Sequence, residues 1–131
     1  MAVEFQSDAA GIEPEHLAGF FDGWPTPPDA ATHLRLLQES DSVAIARDGD
    51  RVVGFATAIS DGVLSAYIPL LEVLADYRGQ AIGTTLIARL LAELSHLYMV
   101  DVVFDDDVVA FYERLGFARG TSMMRRNRIE V

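Results

Sequence analysis

The chain has 131 residues, no cysteine and a hydrophobic content of 50%. That is enough apolar side chain for one domain core, and it excludes intrinsic disorder, disulfides, thiolate metal sites and a covalent cysteine intermediate. The net charge of -10 makes nucleic acid a poor partner, because phosphate binding needs a basic face.

Residues 1–131 are read as a single domain. No apolar run approaches the ~20 residues of a membrane helix, so no membrane partner is expected. The opening MAVEFQSDAA lacks the basic and apolar regions of a signal peptide. With the absence of cysteine, this makes a reduced, cytoplasmic setting the expectation. The charge is uneven: Met1–Asp76 holds 13 acidic residues against 3 arginines, and Tyr77–Val131 holds 7 against 7. The acidic half serves solubility or attracts a cation. All 10 basic residues are arginine, which leaves no lysine for a Schiff base or a P-loop.

In chain order, Ala2–Gln6 suits a short first strand. Pro14–Phe21 reads as a helix with Ile12, Leu17, Phe20 and Phe21 apolar, and Gly23–Pro28 must be irregular because its prolines remove donors and fix φ. Asp29 is placed to cap a helix running to about Glu39, with Leu34 and Leu37 inward. Ser42–Arg47 and Arg51–Ser60 read as strands joined by an Asp48-Gly49-Asp50 turn, and Val63–Leu74 reads as a third strand after Asp61-Gly62. Pro69 inside that strand implies a bulge or a missing ladder bond.

A helix follows over about Ala81–His96, since Ile82, Leu86, Leu90 and Leu94 recur every fourth residue. Tyr98–Phe104 is a strand. Asp105–Asp107 opens a short helix, Val108–Leu115, closed by Gly116, and a last strand is expected within Ser122–Ile129. The order implies an α/β fold, a mixed sheet with helices on both faces. The right-handed crossover rule makes the strands flanking Ala81–His96 parallel neighbours if they share the sheet.

The most informative segment is Leu71–Thr84: a strand, a short turn of small residues, then a helix start. Free backbone N–H groups and the helix dipole make such a start an anion site. Gly79 and Gly83 permit close backbone approach, and Arg78 adds charge. The same residues are compatible with an ordinary strand-to-helix turn. A P-loop is excluded because the Gly-Lys-Ser/Thr end is missing, and the dinucleotide GxGxxG because the glycines are spaced wrongly.

Arg78-Gly79-Gln80-Ala81-Ile82-Gly83 resembles the Arg/Gln-x-x-Gly-x-Gly/Ala signature of the GNAT superfamily of N-acetyltransferases. Ala110-Phe111-Tyr112-Glu113-Arg114-Leu115-Gly116-Phe117 is similar to that family's Phe-Tyr-Glu-x-Leu-Gly-Phe box. One helix and one strand separate the two, and the likeness covers roughly Ser42–Arg128. It departs at Ala81, where the family usually has glycine. If Ala81 keeps a helical φ, its methyl points away from the ligand.

The resemblance implies a GNAT-like, mostly antiparallel sheet with a splayed parallel strand pair. It also implies transfer of an acetyl group from acetyl-CoA to a primary amine by direct attack in a ternary complex. The alternative of another class is a catalytically silent CoA-binding or interaction module on the same fold. Leu71 and Val73 would hold the pantetheine arm as an added edge strand. Arg78, Gly79, Gln80, Ala81, Ile82, Gly83 and Thr84 would hold the pyrophosphate.

Val73 N–H would face the thioester carbonyl as an oxyanion donor. Glu72 is the proposed base, with Asp101 and Asp105 as rivals; a salt-bridged or solvent-facing strand carboxylate is the plain alternative. Tyr112 would protonate the leaving thiolate, against a role as an aromatic core residue. A small-molecule amine or a basic peptide end is the expected acceptor, and the oligomeric state is left open, a homodimer included.

Four further features get structural readings. Asp105-Asp106-Asp107 is read as a helix cap. His16, His33 and His96 show no metal spacing and are read as structural. Phe20, Phe21 and Trp24 are read as core, with an acceptor-pocket wall as the minority alternative. Arg125, Arg126 and Arg128 are expected to be exposed.

Overall fold

The computed structural model describes residues 2–127. The centre of the fold is a long hairpin whose apolar runs leave no polar face: β2 (Ser42–Asp48) and β3 (Arg51–Ser60) pair antiparallel from Ser42↔Ala58 to Asp48↔Arg51. β1 (Glu4–Gln6) adds antiparallel to β2, and β4 (Ser65–Val73) adds antiparallel to β3. β5 (Met99–Val102) lies parallel to β4, so the sheet order follows the chain from β1 to β5. The parallel pair needs a crossover, supplied by α2 (Ile82–Glu93).

Period-2 alternation divides the sheet residues between two cores. Ala44, Ala46, Ala56 and Ala58 face α2, whose buried stripe is Ile82, Leu86, Ile87 and Leu90. Each of those large side chains contributes about 1.5–3 kcal/mol by leaving water. The helix lies close to the sheet because β3 offers Gly54: a Cβ there would stand 3.2 Å from Ile82 Cγ2, 3.2 Å from Leu86 Cδ1 and 3.3 Å from the Glu72 carbonyl oxygen. The opposite face packs Val43, Ile45, Val52 and Phe55 under α1 (Ala30–Glu39) and the segment before it. Asp29 caps α1 as expected, accepting from Thr32 N–H at 2.8 Å. Its buried residues are His33 and Leu37, with Leu34 partly buried beside them.

Several expected elements differ. Pro14–Phe21 holds one 3₁₀ turn, Pro14–His16, in place of a helix. Gly19 at φ +100° and Phe21 at φ +63° are left-handed and cannot continue one. Ile12, Leu17 and Phe21 are buried all the same, so the apolar spacing reflects irregular packing. Trp24 is 46% exposed and not core, because Gly23 and the following prolines carry it out over the surface.

The third strand starts at Ser65 because Asp61 Oδ1 collects the N–H groups of Val63, Leu64 and Ser65 in a turn. No strand occurs over Ser122–Asn127: Met123 is 97% and Met124 60% exposed, so no face of the segment is buried for pairing to stabilise. The remainder of that expected strand, Arg128 included, lies outside the described residues. Arg125 and Arg126 are exposed.

Candidate active site

Pro69 cannot donate to a ladder, and the sheet breaks around it. Thr57↔Leu70 and Ile59↔Tyr67 are register partners, so Ile68 and Pro69 together oppose Ala58 in a bulge. The parallel pairing with β5 ends at Ile68↔Val102, just before the proline. Beyond that point β4 runs on to Val73 without β5 beside it.

The alternation of antiparallel bonds fixes which groups face this gap. Leu74 N–H donates to the Val53 carbonyl at 2.9 Å, which makes Val53 and Leu74 a hydrogen-bonded pair. Bonded and non-bonded pairs alternate, so Gly54/Val73 and Ala56/Leu71 are non-bonded pairs. The N–H and C=O groups of Leu71 and Val73 therefore point away from β3 and into the splay. Arg78 Nε donates to the Val73 carbonyl at 3.2 Å and ties the following turn to the strand end.

Glu72 faces the other way from Leu71 and Val73, over the α1 core, opposite Phe55 in register. Its Oε1 accepts the Phe21 N–H at 2.9 Å, and its Oε2 has no hydrogen-bond partner among the described residues. Partial burial raises its pKa above the usual glutamate value, while the Phe21 N–H and the Arg78 guanidinium pull the other way.

The turn into α2 is held by Tyr77, whose hydroxyl donates to Asp48 Oδ2 at 2.6 Å while the Arg51 guanidinium lies 5.6 Å from its ring. Gly79 at φ +80° has nothing within 4 Å of a built Cβ, so this turn opens to solvent. Ala81 corrects the expectation of a helical φ: it sits at φ 61°, ψ 20°, left-handed, as N-cap of α2. No side chain caps the helix. The first closing bond is Thr85 N–H to the Ala81 carbonyl at 3.1 Å, so the N–H groups of Ile82, Gly83 and Thr84 have no intrahelical acceptor. Three free N–H groups, the helix dipole and Arg78 form a cradle that fits an anionic diphosphate. Gly83 faces inward: a Cβ there would lie 3.6 Å from Phe111 and 3.8 Å from Val73 Cγ2.

Tyr112 lies on α3 (Val109–Arg114) and is 5% exposed. Its ring stacks on Phe104 at 4.8 Å and meets Phe111 and Phe117 edge-on at 5.0 and 5.5 Å. Burial raises its pKa, so the hydroxyl stays protonated at neutral pH. The Phe117 N–H donates back to the Tyr112 carbonyl and closes the helix.

Asp101 is exposed on β5 beside Tyr67, before the splay, and Asp105 is exposed after the strand. The acidic triplet does not cap: a 3₁₀ turn, Asp106–Val108, precedes α3, and no Asp105 side-chain oxygen reaches its N–H groups. Asp106 instead stands 3.9 Å from Arg119. A cavity of about 1090 Å³ lies along β5 and takes in Tyr67, Phe104 and Tyr112. None of residues 71–84 lines it. His16 Nδ1 accepts the Glu13 N–H, and His96 Nε2 lies 3.3 Å from the Gly62 carbonyl. No group of metal-binding side chains occurs among the described residues, and no described helix is long and apolar enough to cross a membrane.

Sequence reading missed the pairing of Phe21 with Glu72 and the burial of His33. The signal for His33 was present: it lies four residues before Leu37 on the same helical face.

The acetyltransferase (GNAT) family model matches residues 9–117. A crystal structure of a candidate acetyltransferase from Deinococcus radiodurans R1 is 48% identical and superposes with a TM-score of 0.92 over 95% of this chain and 88% of that one. A GNAT family protein from Streptococcus pneumoniae TIGR4 is 26% identical, with a TM-score of 0.79 over 98% and 100%. Among curated proteins, N-alpha-acetyltransferase 30 of Schizosaccharomyces pombe is 32% identical over 62% of this chain and 60% of its own length. An uncharacterized N-acetyltransferase of Porphyra purpurea is 28% identical over 74% of this chain and 59% of its own. The chain spans about 60% of the length of these curated relatives. With the splayed strand pair and both sequence boxes in place, the chain belongs to the GNAT acetyltransferase family.

Proposed function

We propose that the protein transfers an acetyl group from acetyl-CoA to a primary amine, by direct attack with both substrates bound. The observation that carries this is the free edge of β4: a partly buried carboxylate and an unpaired Val73 N–H on consecutive residues, beside an uncapped helix start. Acetyl-CoA supplies the thioester whose acyl carbon the amine nitrogen attacks. Leu71 and Val73 hold the pantetheine amides, and residues 78–84 hold the diphosphate.

An alkylamine with a lysine-like pKa near 10.4 arrives protonated, so a group must take its proton. Glu72 does so with Oε2, directly or through one water, and its raised pKa brings it closer to the range a base needs. Val73 N–H stabilises the charge that develops on the carbonyl oxygen. As the C–S bond breaks, Tyr112 donates to the departing sulfur. A thiol has a reference pKa near 8.5, and burial raises the Tyr112 phenol above the usual tyrosine value, so full transfer from Tyr112 is uphill. The hydroxyl therefore acts as a hydrogen-bond donor to the thiolate, and the proton that the nitrogen sheds after attack passes to the thiolate through solvent.

The excess charge of Met1–Asp76 favours a cationic acceptor, and the segment before α1 packs on the Glu72 face. The likeness to N-alpha-acetyltransferase 30 supports a peptide α-amino group beside a polyamine or aminoglycoside-like amine. Thiol release from acetyl-CoA against these three amine classes tests the proposal. Amine-dependent release is expected; stabilisation by CoA with no turnover on any amine would instead show a silent binding module.

A further inference from the structure

Phe21 is a bulky residue in a backbone conformation that side chains other than glycine rarely adopt, at φ +63°. Such a conformation persists only where its surroundings over-determine it. Here they do. The Phe21 ring is 3% exposed and meets His33 edge-on at 4.9 Å. His33 in turn packs on Phe20 at 5.3 Å and on Phe55 at 4.5 Å. The Trp24 N–H donates to the Phe21 carbonyl at 3.2 Å and closes the turn. The product of that conformation is one hydrogen bond: the Phe21 N–H to Glu72 Oε1, across 51 residues of sequence.

His33 is 1% exposed, and its Nε2 has no hydrogen-bond partner among the described residues. A leucine would fill an apolar site without an unpaired nitrogen, so simple packing does not account for the imidazole. What it provides is a flat ring that Phe20 and Phe21 can both meet edge-on.

We propose that His33 and Phe21 are positioning residues for Glu72: the aromatic cluster around His33 holds Phe21 left-handed, so that its N–H fixes Oε1 and leaves Oε2 to take the substrate proton. This rests on Glu72 acting as the base. Among the described residues, the groups facing Glu72 are Phe55 from β3, Phe21 from the segment before α1, and the charged Arg78 from the turn after β4. His33 is neutral above about pH 4, because burial pushes it down to about 4.

Two measurements test the proposal. In an NMR titration of the whole protein, the Phe21 amide proton follows the ionisation of Glu72, and the response vanishes in Glu72→Gln. In pH–rate profiles, His33→Ala loosens the turn, weakens the bond that stabilises the carboxylate, and so moves the acidic limb of kcat/KM to higher pH. kcat at neutral pH falls about 10–100-fold, the usual scale for a misplaced group, with KM little changed. His33→Phe restores the parent profile by packing alone. Phe21→Gly, which has no left-handed penalty and no anchor, repeats the limb shift if His33→Ala does not fold.

A Phe21 amide that ignores Glu72 overturns the proposal. So does an unmoved limb in folded His33→Ala or Phe21→Gly when Glu72→Gln abolishes it. A limb that survives Glu72→Gln shows instead that Glu72 is not the base, and the positioning role falls with it.

Discussion

Ala81→Gly probes the phosphate cradle with the smallest perturbation available. Ala81 is exposed and left-handed at φ 61°, and it belongs to neither apolar core. Removing its methyl therefore loses little packing. An L-residue with a Cβ pays about 1–2 kcal/mol in this conformation, which glycine avoids. Glycine's wider freedom in the unfolded chain gives back about 0.4–1 kcal/mol. The net gain is up to about 1.5 kcal/mol, or about 3–6 °C in Tm at the upper end for a domain of this size. If the free N–H groups of Ile82, Gly83 and Thr84 bind the diphosphate as proposed, glycine at the N-cap keeps the same backbone geometry and removes the methyl beside it. Affinity for acetyl-CoA stays equal or improves. Calorimetry in scanning and titration modes reads both. A lower Tm in the glycine variant would refute the strained backbone, and a large loss of affinity would show that the methyl makes a needed contact.

Tyr112→Phe keeps the ring stack and removes the hydroxyl; turnover falls by about 10²–10³-fold in steady-state assay, the scale for losing one hydrogen-bond donor to developing negative charge, and full activity in the folded variant would return Tyr112 to the core. Glu72→Gln lowers the rate at neutral pH by about 10²–10⁴-fold, with partial recovery at high pH where free amine is abundant; Asp101→Asn and Asp105→Asn keep the parent's acidic limb. Because His33 is neutral and buried with its pKa lowered from 6.5 to about 4, the folded state binds fewer protons there. It contributes stability that is present above pH 6.5 and lost as pH falls toward 4, by about 3 kcal/mol. Denaturant melts at stepped pH should show this loss in the parent and its relief in His33→Leu.

The parts of the fold legible in the sequence are those where local chemistry decides. Arg51–Ser60 is a strand to the residue, since a two-residue turn and an unbroken apolar run leave one solution. Pro69 announces its bulge because a proline cannot donate. The periodicity of α2 shows its face but overruns its end, as Leu94 remains buried one residue past the last helical turn. Two failures share one cause. Pro14–Phe21 has a helical apolar spacing, and Ala81 a helical expectation, yet both meet left-handed residues, which no local apolar pattern announces. The bulge that frees the end of β4 and the uncapped start of α2 were expected from Pro69 and from the Leu71–Thr84 segment. The Phe21–Glu72 bond was not, because no local pattern links residues 51 apart.

The most direct test of the account is a crystal structure with a non-hydrolysable acetyl-CoA analogue. The acyl carbonyl oxygen should lie at hydrogen-bond distance from Val73 N, the pantetheine amides along Leu71 and Val73, and the diphosphate on the N–H groups of Ile82, Gly83 and Thr84. Glu72 and Tyr112 should lie on either side of the thioester. An analogue bound instead in the cavity along β5, with residues 71–84 untouched, would contradict it.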